Sequence, residues 1–479
     1  MSLDKKTKSE LILKGGIYKV LITLSAPIII NSLIQTLYNL VDGIWVSKIS
    51  SVHFAATAFV WPVNFFFISL GVGFSVAGTS ILAQLIGANN LKGTKEYSTQ
   101  LIAITTMCSV VFTVIGYALS PHILKLMGAT GDLATLGNIY LRITFLDLPL
   151  MFLYFNINSI MHAQGDTITP MILSGASALL NVILDPIFIF TLNMGIAGAA
   201  WATLISRAFL AIAGIIFLFG KKNKIVPDFR NFKFNIGIIR ELITVGVPAS
   251  IGQTGASLGF MVLNSFINSY GTATIAAYAM VNRITSLVMQ PAMGMGSALT
   301  AIVGQNIGAN QMDRVKEAFH KALRLSTAIG VVGGLLIILF DEPIINFFMQ
   351  SKDDLTVIEL AVTYLLYISL SMPLMGIFSV FQGLFQGTGN TRYSMAMEVG
   401  RLWFVRLPMI LLFKKYLPNW GANGIWFSMS FSNLIICIYG YWVYRGRGWQ
   451  KKIISQADQV AQGAQGAQGA QGDGSAVSK

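Results

Sequence analysis

The chain has 479 residues, 54% of them hydrophobic and only 11% charged, against ~25% charged in soluble domains. With a mean hydropathy of +0.66, this excludes a soluble globular protein and defines an all-α, polytopic membrane protein. Two cysteines in apolar runs (Cys108, Cys437) and four dispersed histidines (His53, His122, His162, His320) exclude a disulfide framework and a histidine metal cluster.

Twelve apolar segments follow one another along the chain, at about 18–47, 55–84, 97–119, 137–162, 169–192, 195–219, 241–268, 273–303, 320–340, 357–386, 393–413 and 421–444. Several exceed the ~20 residues a span needs, so tilt or extension past the bilayer is expected. Lys5, Lys6 and Lys8 precede a segment too long for a signal-peptide core, so no cleaved signal is expected.

The net charge of +13 collects on one side of a twelve-span arrangement: at the N-terminus, at Lys92 and Lys95, in 221–240, at Arg314, Lys316, Lys321 and Arg324, and after the last span at Arg445 and Arg447. The opposite side is poor in base; the loop after the ninth span holds Asp341, Glu342, Asp353 and Asp354 with only Lys352. The positive-inside rule therefore predicts cytoplasmic termini. The basic excess is read as orientation and lipid contact, and no nucleic-acid partner is expected.

The first segment carries one charge, Asp42, between Leu21 and Val46. Asn31, Gln35, Asn39 and Asp42 are spaced four, four and three, which is one face of a helix. An acid closing a polar stripe within a span marks either a functional site or the water interface. The fifth segment repeats the pattern: Ser174, Ser177, Asn181 and Asp185 form a stripe, and Pro186 follows. That proline frees the carbonyl of Val182 and weakens the local helix. Both acids fall in the outer half of the same six spans. Meeting there, they would make a proton site, or with asparagine oxygens a sodium site. Thr203 and Arg207 lie four apart in the sixth span, and Asp147 in the fourth is expected either to face a cavity or to pair with Arg142 or Arg207.

The second half opens with Gln253, Ser257, Asn264 and Asn268 on one face, without an acid. Its intramembrane charges are Arg283, Glu398, Arg401 and Arg406, with Glu398 and Arg401 spaced for an ion pair. Met280, Met289, Met293 and Met295, with Tyr278 and Phe260, are either a pliable pocket lining or ordinary packing.

Internal similarity divides the chain. Gln84–Asn89 (QLIGAN) returns as Gln305–Asn310 (QNIGAN), Pro27 meets Pro248, Gly165-Asp166-Thr167 meets Gly389-Asn390-Thr391, and Gly195 and Gly198 meet Gly421 and Gly424. Six spans per half make the repeats parallel, related by an axis along the membrane normal. The expected organisation is an N-lobe at 1–220, a cytoplasmic linker at 221–240, a C-lobe at 241–446 and a tail at 447–479. Four Ala-Gln-Gly copies (Ala461 to Gly472) make that tail an expected disordered segment.

Pro27, the Tyr38-Asn39-Leu-Val-Asp42 run, the paired QLIGAN and QNIGAN motifs, Gln164–Thr167 and Asn181–Pro186 together resemble the multidrug and toxic compound extrusion (MATE) transporters. The resemblance covers about residues 15 to 446 and implies two six-helix lobes around a V-shaped cavity. It implies cation-driven antiport in the manner of the DinF-like branch, whose N-lobe cation site corresponds to Asp42, Asn181, Asp185 and Thr203. The acids of a C-lobe cation site, known in the NorM-like branch, have no counterpart here.

A secondary antiporter is therefore expected, exporting amphipathic or cationic small molecules against H+ or Na+. Gln35, Tyr38, Asn39, Gln253, Asn264, Tyr278 and Met289 are the expected cavity residues. Pro27 is the expected hinge, and Asp42, Asn181, Asp185 and Thr203 would be the ligands if the ion is sodium. A cell-membrane location, a monomer and no cofactor beyond the coupling ion are expected. The alternative on the same fold is a lipid-linked oligosaccharide flippase using a basic cavity. No constellation of catalytic residues at matched depth is found, so an enzyme is not expected.

Overall fold

The computed structural model describes residues 5–220, 225–230, 232–348 and 355–450. The Ala-Gln-Gly repeats and part of the linker lie outside the described residues. A short helix α1 (Lys5–Lys14) precedes the long ones: α2 (Ile17–Ser47), α3 (Ser51–Gly87), α4 (Leu91–Leu126), α5 (Gly131–Ala163), α6 (Ile168–Pro186) and α7 (Ile196–Phe219). The second half has α8 (Ile236–Asn268), α9 (Thr272–Gly308), α10 (Met312–Leu339), the short α11 (Asp341–Phe348), α12 (Leu355–Gly387), α13 (Thr391–Val399), α14 (Leu407–Tyr416) and α15 (Asn423–Arg445). Two of these run on in π geometry: α6 through Ile187–Thr191, and α13 through Gly400–Arg406 into α14.

Ten helices among the described residues are long and apolar enough to cross a membrane. The seventh and eleventh spans complete the twelve, and polarity explains why they stand apart. Helix α8 carries Gln253, Thr254, Ser257 and Asn264 along its length. The α13–α14 run carries Glu398, Arg401 and Arg406 in mid-span. Several helices outrun the apolar segments that announce them, and polar side chains cap some of these extensions. Asn90 accepts from the Gly93 N–H at 2.8 Å, and Asn235 from the Gly237 N–H at 3.0 Å.

Helices α3 and α9, 37 residues each, form the centre, where small side chains let neighbouring backbones approach. The sequence repeat marks the turns that leave such helices. Asn89 and Asn310 have φ of 57° and 60°, Gly165 and Gly389 of 76° and 77°, and Gly195 and Gly421 of 56° and 53°. A positive φ is the backbone region that glycine and asparagine tolerate best, and Gly195 and Gly421, with ψ of −132° and −134°, share a conformation open essentially to glycine alone.

The two copies of the QxIGAN motif meet one another. Gln84 Nε2 donates to the Gly387 carbonyl at 3.1 Å, and Gln305 Nε2 to the Ala163 carbonyl at 2.7 Å. A Cβ on Gly87 would run into the Gln305 carbonyl, and one on Gly308 into that of Gln84. The halves thus interlock reciprocally on the face that carries the N-terminus. Helix α1, whose polar sequence gives no apolar signal, lies across the same seam. Lys8 pairs with Asp166 at 3.1 Å in the first half. Ser9 donates to Gln305 Oε1 at 3.1 Å, and Arg314 Nη2 to the Ile12 carbonyl at 2.9 Å, both in the second half.

Candidate functional site: two polar cavities

Two cavities lie on the far side of this seam, one in each half. The first, about 440 Å³, is lined by residues of α2, α3, α5 and α7. The polar stripe of α2 faces it: Asn31, Gln35, Tyr38, Asn39 and Asp42 all stand on its wall. Gln35 Nε2 donates to Ser174 Oγ at 2.7 Å, tying the stripe of α2 to that of α6.

Asp185 and Asn181 are not on the wall. They are fully buried behind it, 0% and 1% exposed, which the sequence spacing did not reveal. A polar relay joins them to the cavity. Asn181 reaches Thr203, which lines the wall, and Thr203 Oγ1 lies 3.3 Å from Tyr38 Oη. The Asn181 amide donates to Asp185 Oδ2 at 3.0 Å, and its oxygen accepts from the Thr203 N–H at 3.2 Å.

Asp42 stands on the wall and Asp185 lies buried behind it in the same half. Asp42 Oδ1 is buried and has no hydrogen-bond partner. Asp147 both lines the cavity and pairs with Arg207, while Arg142 lies over the Tyr117 ring at 5.0 Å instead. Tyr140, Tyr154 and Asn158 of α5 complete the wall beside Asp147. Pro27 sits buried within the unbroken helix α2, fifteen residues before Asp42.

The second cavity, about 640 Å³, is walled by α3, α8, α9, α12, α13, α15 and the π segment that follows α13. Gln253, Asn264, Met289, Met293 and Phe260 line it. Tyr278 does not, which corrects the sequence reading. It is buried in a stack with Tyr364 and Trp426, ring centroids 5.7 and 6.1 Å away, and Tyr364 takes the place on the wall. Met295 likewise belongs to the packed core, at 2% exposure. Arg283 is exposed and off the wall, whereas Glu398, Arg401 and Arg406 stand on it. Trp61 and Phe65 of α3 border both cavities.

Twelve spans in two related halves, each enclosing a cavity with ionisable groups at membrane depth, define a carrier rather than a pore or a structural bundle. Comparison with known proteins makes this specific. The MatE family model matches residues 27–187 and 248–412, and the chain belongs to that family. It is 28% identical over 456 residues to the probable multidrug resistance protein YoeA of Bacillus subtilis, covering 93% of this chain and 97% of that one. Multidrug export protein MepA of Staphylococcus aureus is 25% identical over 418 residues, 87% and 91% of the two chains. The crystal structure of a MATE in complex with MaL6 superposes with a TM-score of 0.87 at 26% identity, over 93% of this chain and 98% of that one.

Proposed function

We propose that this chain is a secondary antiporter that exports amphipathic, often cationic small molecules, driven by a cation entering the N-half. The observation that carries the reading is the chain of contacts Tyr38–Thr203–Asn181–Asp185, with Asp42 on the wall of the same cavity and one of its carboxylate oxygens buried without a partner. A carboxylate at membrane depth without a partner costs ~3 kcal/mol on insertion scales. A proton or a sodium ion removes that cost, so the ion favours the arrangement that brings Asp42 toward Asp185.

A cationic substrate in the cavity competes for the same carboxylate. Cation and substrate therefore bind the lobe in different arrangements, which is what coupling requires. The hydrogen bond between Tyr38 and Thr203 ties α2 to α7, and Pro27 leaves α2 one backbone bond short, so α2 is the element that moves. Asp42, Asn181, Asp185 and Thr203 would hold sodium by oxygen atoms. If the ion is a proton, the deprotonated Asp185 is the form that accepts from the Asn181 amide.

Supporting the orientation, Lys92, Lys95, Arg314 and Arg324 share the face of the interlock with the N-terminus, which would be cytoplasmic in a cell membrane. Both cavities then belong to the outer half of the membrane. Residues 1–220 and 241–446 would act as lobes joined by the linker 221–240. One chain holds both cavities and would work as a monomer.

The test is drug export from proteoliposomes under an imposed pH gradient or an imposed sodium gradient. Asp42→Asn and Asp185→Asn should each cut gradient-driven export by at least about tenfold, the effect of losing a charge-dependent site worth ~1.4 kcal/mol or more. Undiminished export by the double variant would overturn the assignment.

A further inference from the structure

The C-half cavity has a different charge from its N-half counterpart. Arg401 and Arg406 stand on its wall at 5% and 3% exposure. The wall has one carboxylate, Glu398, and it lies 3.4 Å from Arg401. Arg406 has neutral partners only: Ser432 Oγ at 3.0 Å, the Met429 carbonyl at 3.2 Å and Asn433 Oδ1 at 3.2 Å. The Nε of Arg401 is buried and has no partner at all. Two guanidiniums against one carboxylate leave a net positive charge inside the membrane, where an uncompensated cation is costly.

The rest of the wall is apolar and deformable. Met261, Met289, Met293 and Met375 line it beside Phe260 and Trp61. Thioether side chains repack around varied shapes and lie well against aromatic rings. A cavity of about 640 Å³ is of the size that encloses a drug-sized molecule.

We propose that the C-half cavity is a second ligand site, selective for amphipathic organic anions. The acidic head is held by Arg406 and the free Nε of Arg401, and the apolar body lies among the methionines. Glu398 competes with the ligand for Arg401, so it limits affinity and keeps the cavity stable when empty. This site is separate from the acidic N-half cavity and gives the molecule two pockets of opposite preference.

Decanoate is the probe, titrated calorimetrically into the full-length protein in nanodiscs of zwitterionic lipid, with decanol as the uncharged control. Decanoate should bind at least about tenfold more tightly than decanol, as hydrogen bonds to a charged group imply. Arg406→Gln should weaken decanoate severalfold and leave decanol unchanged. Glu398→Gln should act in the opposite direction and tighten decanoate, which keeps the test decisive if the arginine variant does not fold. Equal binding of decanoate and decanol, or decanoate binding that Glu398→Gln leaves unchanged or weakens, would overturn the proposal.

Discussion

Asp166, in the turn between α5 and α6, is one residue whose charge fastens a whole element. Burial alone would raise its carboxyl, but Lys8 at 3.1 Å and the backbone and hydroxyl of Thr169 hold it below the usual carboxylate range. A carboxyl depressed on folding stabilises the folded state fully above its unfolded value of ~3.9, and that stabilisation fades as pH falls through the depressed range. The anchoring of α1 should therefore be constant from neutral pH down to about pH 4 and weaken only below it. Hydrogen exchange of the α1 amides checks this. Asp166→Asn should raise their exchange at neutral pH by severalfold and abolish the acid-dependent step. Residue by residue, the sequence was most informative where an ionisable group sat alone in apolar surroundings, as Asp42 and Asp185 do. It could not tell that Asp185 lies behind the wall rather than on it, because a stripe gives the face of a helix and not the depth of its neighbours. Tyr278 was misassigned for a related reason: aromatic residues serve equally in a wall and in the stack behind it.

At the scale of the helix, the two π segments do what regular spacing cannot. Arg401 and Arg406 are five residues apart, and at ~3.6 residues per turn an ordinary helix would splay them by ~140°. The wider turn of Gly400–Arg406, with its i→i+5 bonding, narrows that splay, and both reach the same cavity. Hydropathy and helical periodicity found the spans but were blind to this, since both assume one period throughout. In α6 the wide turn begins at Pro186, which has no N–H to offer the Val182 carbonyl, directly after Asp185. Pro186→Ala restores that donor and allows α6 to continue as a regular helix. The variant should keep or raise the unfolding temperature while losing severalfold in gradient-driven export, because the turn positions Asp185 rather than stabilising the fold. A fall in both together would mean that the proline serves packing alone.

For the molecule as a whole, the QxIGAN interlock decides which side is closed. The Gly87 and Gly308 contacts are backbone against backbone, with no flexible side chain to yield. Overpacking of this kind costs ~1–3 kcal/mol, and only the arrangement in which α3 and α9 touch bears that cost. Gly308→Ala should therefore shift the population toward an open seam. Spin labels at positions 92 and 316, with Cys108 and Cys437 replaced, should report a longer distance in the variant than in the parent. An unchanged distance distribution would show that the seam tolerates the methyl group. Apart from Pro27 and Pro248 inside α2 and α8, the repeat visible in the sequence is concentrated where the chain turns or crosses, positions that backbone geometry constrains.

The reciprocity of that contact also bears on ancestry. The glutamine and the glycine that one half presents are the receptors for the glycine and the glutamine of the other. A polypeptide of half this length would therefore already possess both parts of the joint, unsatisfied until it met a second copy of itself. The present chain reads as such a pair made permanent by fusion, and its asymmetry in charge is what fusion permits: once joined, one partner could turn acidic and the other basic without either having to match itself.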